Sequence, residues 1–137
     1  RRQRQMCIRD SREVHRLVAE GNEDAKLALD VYVHRIVGYI GNYTAQMGGV
    51  DVITFTAGVG ENDDVVRKMV CDKLAPFGVK LDEEKNATRS KEPRIISTPD
   101  SAVTICVIPT NEELAIARKS AAIAEEGKDS YGNVFSK

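Results

Sequence analysis

The sequence predicts an α/β fold in which helices pack on a small, mainly parallel sheet. Three observations predict it. Helical and strand periodicities alternate along most of the chain, as they do in layered α/β arrangements. Residues 51–57, "DVITFTA", and 101–108, "SAVTICVI", are short β-branched and apolar runs, and each leads through a turn into a helix. A long helical stripe precedes the first run and carries more apolar surface than two or three strands can cover, which marks the unit as part of a larger α/β protein.

Taken in order, residues 12–25, "REVHRLVAEGNEDA", place Val14, Leu17 and Val18 on one face of a short helix ending near Gly21. Asn22 is positioned to cap the next helix, with Ala25 at its third helical position. That helix, "EDAKLALDVYVHRIVGYIGNYTAQM", carries Ala28, Tyr32, Ile36, Tyr39, Tyr43 and Met47 at steps of three or four, flanked by Leu29, Val33 and Ile40. This stripe is expected to lie on the sheet. Gly38 and Gly41 each weaken the helix by about 1 kcal/mol relative to alanine, so close packing is expected there. Gly48 and Gly49 end it.

The strand over 51–57 follows, then a two-glycine bend, then "NDDVVRKMVCDKLAPFG". Val65, Val66, Met69, Val70 and Leu74 form the expected buried face of this helix, Asn62, Asp63 or Asp64 its cap, and Pro76 with Gly78 its stop. "RIIS" at 94–97 reads as a short strand, and 101–108 as a buried one. "PTNEELAIARKSAAIAEE" reads as a helix with Leu114, Ala117, Ala121 and Ala124 turned inward. Residues 127–137 read as a flexible tail, and residues 1–11, whose arginines and glutamines follow no period, as a non-native leader.

Composition narrows the function. With 137 residues, 42% apolar and 30% charged, the chain has the size and balance of one folded unit. Twenty basic residues against 21 acidic ones leave a net charge of −1, which offers no electrostatic case for nucleic acid or an anionic membrane. No apolar run approaches the ~20 residues a membrane helix needs. Three scattered cysteines, Cys7, Cys71 and Cys106, fit neither a disulfide framework nor a zinc site, and a reducing cytoplasm is the expected setting. Cys71 and Cys106 read as small core residues.

Residues 58–62, "GVGEN", are the first candidate site. Glycines between a strand and a helix let a phosphate or ribose approach the backbone, and the first amides of the helix point toward an anion. The same pattern is an ordinary corner, and on the residues alone that reading comes first. A Walker loop needs Gly-Lys-Ser/Thr where Gly60 is followed by Glu61 and Asn62, and a dinucleotide fingerprint needs glycine where Asp63 stands. Glu61, Asp63 and Asp64 repel phosphate, so a nucleoside suits this bend better than a phosphate chain. The second candidate is "IPTNEELAIAR". Thr110 and Glu113 fit a capping box. Glu112 reads first as an acid favoured by the helix dipole and second as a magnesium contact. His15 and His34 read as partly buried packing residues, Arg67 and Lys68 as a solvated helix face, and Arg12 as a partner for phosphate or carboxylate.

Together, "FTAGVGEN", "VR" at 66–67 and "PTNEELAIAR", at this spacing, resemble the C-terminal part of the acetate kinase family, and "YIGNYTAQMGGVDVITFTAGVGEN" is similar to the same family. The resemblance covers most of residues 12–124. It implies a partial ribonuclease-H-like domain of the actin-like ATPase superfamily, over residues 12–126, in which two such domains flank a cleft. It implies reversible phosphoryl transfer between ATP and acetate, giving acetyl phosphate. It further implies that Gly58, Val59, Gly60, Glu61 and Asn62 line the adenosine pocket, that Glu112 serves Mg2+, and that Asp10, Ser11 and Arg12 match an Asp-x-Arg motif with a nucleotide role. A homodimer is implied for the full-length enzyme. The resemblance also implies that most of the groups that hold acetate and transfer phosphate belong to an N-terminal domain outside this chain, so no catalytic residue is expected here and the chain is expected to be inactive alone. Two departures stand out: Ala57 occupies a position where the family more often has glycine, and "RQMCIR" replaces a Gly-Ser-rich lead-in. A non-enzymatic actin-like nucleotide-binding module, and a propionate or butyrate kinase, are the alternatives.

Overall fold

The computed structural model describes residues 7–126, with the side chains of residues 7–10, 112, 125 and 126 left aside. The order is α1 (Cys7–Ala19), α2 (Glu23–Met47), β1 (Val52–Phe55), α3 (Ala57–Asn62), α4 (Asp64–Lys73), a 3-10 turn (Ala75–Phe77), α5 (Glu83–Ala87), β2 (Arg94–Ile95), β3 (Thr104–Val107) and α6 (Glu112–Glu126). The sheet order is β1-β3-β2. β1 and β3 run parallel in the register Val52 to Thr104 through Phe55 to Val107. β2 adds a two-residue antiparallel edge, Arg94 opposite Val107 and Ile95 opposite Cys106. The parallel pair is thus the longer, as the strand-then-helix pattern required.

Local signals explain the helix ends. Asn22 caps α2 by accepting the Ala25 amide at 2.9 Å. Gly48, at φ 75°, ends α2 in the left-handed conformation that glycine adopts without a Cβ penalty. One core then joins the layers: Leu29 and Val33 of α2, Ile53 of β1, Val66, Val70, Cys71 and Leu74 around α4, and Ile105 and Val107 of β3 are all buried. Burial pushes the Cys71 thiol up to about 11, which leaves it inert at neutral pH.

Several packing expectations are corrected. α2 packs on α1 and α4 rather than along the sheet. Its inward row is Ala25, Leu29 and Val33, continued by half-buried Ile36, Val37 and Ile40, while Tyr32, Tyr39, Tyr43 and Met47 are exposed. The helix is apolar over much of its circumference, so periodicity alone did not single out the buried row. Nothing lies within 4 Å of a Cβ placed at Gly38 or Gly41, so close packing does not account for them. On α4, Val65 is exposed and Arg67 takes an inward position with Val66 and Val70. Leu114, Ala117, Ala121 and Ala124 of α6 are exposed rather than turned inward. His34 is exposed, and His15 and Cys106 are half-buried. No helix among the described residues is long and apolar enough to cross a membrane.

Candidate functional site

The glycine segment is not an open bend. β1 ends at Phe55, Thr56 is extended, and Ala57 turns the chain at φ 60°, the left-handed region. "AGVGEN" then winds into α3. A Cβ at Gly60 would meet the Phe55 backbone carbon at 3.3 Å, so glycine lets α3 fold back against the end of β1. Gly58 has nothing within 4 Å and leaves its surface open. The Asn62 amide nitrogen donates back to the Gly58 carbonyl at 2.9 Å. Asp63 separates α3 from α4 and caps α4, accepting the Val66 amide at 2.9 Å. The first turn of α4 therefore already carries a carboxylate, one of the three caps expected from the sequence, and the Val66 amide is taken.

Arg67 holds this segment from behind. It is 2% exposed, so it is not the solvated side chain expected from its position beside Lys68. Its Nη1 donates to the carbonyls of Gly60 at 2.9 Å and Glu61 at 3.0 Å. Its Nε reaches Asn86 Oδ1 at 2.7 Å and its Nη2 the Asn86 carbonyl at 2.7 Å. The guanidinium thus satisfies the last carbonyls of α3, which a six-residue helix leaves without internal partners. Burial, and then the nearby Arg94 charge, lower the Arg67 pKa. Lys68 does lie outside, on Glu83 at 2.5 Å.

On one side of α3 lies an apolar slot of about 290 Å³, lined by Ser11 and Val14 of α1, Ala28, Leu29 and Tyr32 of α2, Val59 of α3 and Val66 of α4. It brings Ser11 and Val59, members of two sequence-predicted groups, onto one wall-and-wall pair. Asp63 connects those walls. Its carboxylate accepts the Ser11 hydroxyl and meets His15 Nε2 at 2.8 and 3.0 Å. Burial pushes the Asp63 carboxyl up, but the Ser11 hydroxyl, the Val66 amide and His15 together hold it below the usual value.

On the other side lies a polar cleft of about 410 Å³ lined by Glu61 and Asn62, Ser90, Lys91 and Pro93, and Pro109, Thr110 and Asn111. Here the two motifs meet directly. Glu61 Oε1 accepts both the amide and the hydroxyl of Thr110 at 2.8 Å. The Thr110 amide is the main reason the Glu61 pKa falls below its ordinary value, with the Thr110 hydroxyl and the Ala57 amide adding to it against desolvation. Thr110 is therefore not the cap of α6. Asn111 is, accepting the Leu114 amide at 2.9 Å, so the expected Thr110–Glu113 capping box does not form. The reason is competition: Glu61 claims the hydroxyl, and asparagine is at least as good a cap as threonine.

Of the remaining predicted residues, Arg12 is exposed on α1, one position beyond Ser11. Asp10 and Glu112 lie in α1 and at the start of α6, with their side chains outside the described residues. Sequence reasoning gave no role at the site to His15 or Arg67. For Arg67 the only sequence signal was its place in the matched "VR" pair. Among the described residues no group of three or more His, Cys, Asp or Glu side chains is placed to hold a metal.

Comparison with known proteins places the chain in a family. The Acetokinase family model matches residues 6–118. The acetate kinase of Pseudothermotoga lettingae is 54% identical over 118 residues, which is 86% of this chain and 29% of that protein. The crystal structure of Porphyromonas gingivalis acetate kinase superposes with a TM-score of 0.74 at 42% identity, covering 82% of this chain and 28% of that one. A propionate kinase from Francisella tularensis superposes with a TM-score of 0.70 at 38% identity, covering 78% and 27%. The chain thus spans under a third of the length of these relatives, and within that span its sequence and its fold are similar to theirs. This chain belongs to the acetokinase family.

Proposed function

We propose that this chain forms the ATP side of an acetate kinase. In this reading the nucleoside of ATP or ADP lies against α3, and the phosphates run along the polar cleft toward the start of α6. The observation that carries it is the juxtaposition at α3: Val59 faces an apolar slot shared with Ser11, while Glu61 and Asn62 face a polar cleft shared with Thr110 and Asn111. An apolar slot beside a few polar groups is the usual make-up of a small-molecule site. Gly58, with open space where a side chain would be, leaves room for the ligand at the backbone.

The reaction proposed is reversible transfer of the terminal phosphoryl of ATP to a carboxylate oxygen of acetate, giving acetyl phosphate. A carboxylate is already nucleophilic, so the transfer rests on positioning and on offsetting charge. The contribution of this chain is orientation. Arg67 and the Glu61–Thr110 contact hold α3 and the start of α6 in one relation, so that a nucleotide held by Gly58 to Asn62 presents its phosphates in a fixed direction. The cleft fits Mg2+ in its donor chemistry, since Glu61, Asn62, Thr110 and Asn111 offer hard oxygens and Mg2+ takes only one or two carboxylates beside water and phosphate. Glu112, next along the chain, is the carboxylate proposed to hold it, and the ion when bound would offset phosphate charge. Asp10 and Arg12 are proposed to complete the nucleotide contacts beside Ser11. Acetate is proposed to be held by a domain outside this chain, in a cytoplasmic homodimer, so the isolated chain binds nucleotide without turnover.

The similarity to a propionate kinase gives a second reading, in which the acceptor is a longer acyl group. It changes nothing on the nucleotide side. Calorimetric titration with Mg-ATP, ADP and adenosine, alongside an acetyl phosphate assay, tests the proposal. Saturable nucleotide binding without turnover is expected; turnover comparable with a full-length acetate kinase, or no binding of any nucleotide, overturns it.

A further inference from the structure

Asp63 does more than a helix cap requires. A cap needs one acceptor for one amide, and the Val66 amide supplies that contact at 2.9 Å. Yet this carboxylate, 4% exposed, also takes the Ser11 hydroxyl and His15 Nε2 from a helix about fifty residues earlier in the chain. Ser11 of α1 and Val66 of α4 both line the apolar slot. One carboxylate therefore grips both walls, one through a side-chain hydroxyl and the other through a backbone amide.

We propose that Asp63 is a positioning residue that sets the spacing between the α1 wall and the α3–α4 wall of the slot, with His15 steadying both of its oxygens. The proposal rests on the reading of this slot as the nucleoside site. Its consequence is specific: Asp63 governs affinity for the nucleoside part of a ligand and leaves the phosphate cleft, held by Arg67 and Thr110, untouched.

Two variants separate the tether from the cap. Asp63→Asn keeps an oxygen for the Val66 amide, but its second position becomes an NH2 group that can only donate to Ser11 Oγ, which replaces a charge-assisted contact with a weaker neutral one. The Ser11→Ala, His15→Leu double variant removes the tether from the α1 side and leaves Asp63 and the cap intact. The probes are adenosine, Mg-pyrophosphate and backbone hydrogen exchange, all on the chain as it stands. Each variant is expected to weaken adenosine about fivefold or more, to leave Mg-pyrophosphate unchanged, and to speed exchange in α1 but not in α4. Adding Asp63→Asn to the double variant is expected to add nothing, because both act on the same contact. Unchanged α1 exchange and adenosine affinity in the double variant overturn the proposal, as does an equal loss for both ligands. A wild-type chain that binds no adenosine overturns the nucleoside reading instead, and α1 exchange then still decides whether the tether exists.

Discussion

Glu61 and Thr110, 49 residues apart, share one oxygen: Glu61 Oε1 accepts the amide and the hydroxyl of Thr110, each at 2.8 Å. This contact joins the glycine segment to the turn before α6. The carboxylate is stabilised as an anion, so its folded pKa lies below its ordinary 4.5. By linkage, a depressed carboxyl contributes stability above its unfolded pKa, and that contribution is lost as pH falls through the folded pKa. The Thr110 amide proton shift, followed by NMR, is expected to titrate with a midpoint below 4.5. In Glu61→Gln that titration is expected to vanish, and its persistence would exclude Glu61 as the cause.

Arg67 is expected to resist conservative exchange. Lysine cannot reproduce a fork that serves the Gly60, Glu61 and Asn86 carbonyls and the Asn86 side chain at once. Arg67→Lys should lower stability by about 2–3 kcal/mol, the range for buried charged hydrogen bonds with partners left unsatisfied. Urea denaturation measures this, and a loss under 0.5 kcal/mol would contradict the role assigned here.

Three positions in α3 should respond differently. Ala57 sits at φ 60°, so Ala57→Gly should stabilise by about 1 kcal/mol and raise Tm by a few degrees. Gly60→Ala should destabilise by roughly 1 kcal/mol, because its Cβ would press on the Phe55 backbone at 3.3 Å. Gly58→Ala should leave Tm unchanged or slightly raised, since its surroundings are open and it lies in a helix. If Gly58 lines the nucleotide site, the same substitution still weakens ATP binding. Calorimetry of this stable variant isolates ligand contact from folding.

Glu112→Ala in a full-length enzyme carrying this region should weaken Mg-ATP use far more than stability. The acid's interaction with the helix dipole is worth only about 0.3–1 kcal/mol. A drop in Tm with unchanged magnesium dependence would return Glu112 to a purely local role.

The sequence alone determined the longer helices and the strands, the Asn22 cap, the parallel pairing of two β-branched runs, and the family, because these depend on periodicity, turn chemistry and motif spacing; the short helices α3, read as a bend, and α5 were not legible in it. Tertiary structure decided which face of each element is buried. α2 is apolar around much of its girth, and only contact with α1 and α4 selects Leu29 and Val33 over Tyr32 and Tyr39. Tertiary structure also decided the duties of polar residues. Arg67 looked solvated because arginine beside lysine usually is, and only the carbonyls at the end of α3 give it a buried partner set. Thr110 matched a local capping pattern until Glu61, distant in sequence, outcompeted it. Local rules see neighbours within a turn or two, whereas hydrogen bonds across some fifty residues form only once the chain has folded.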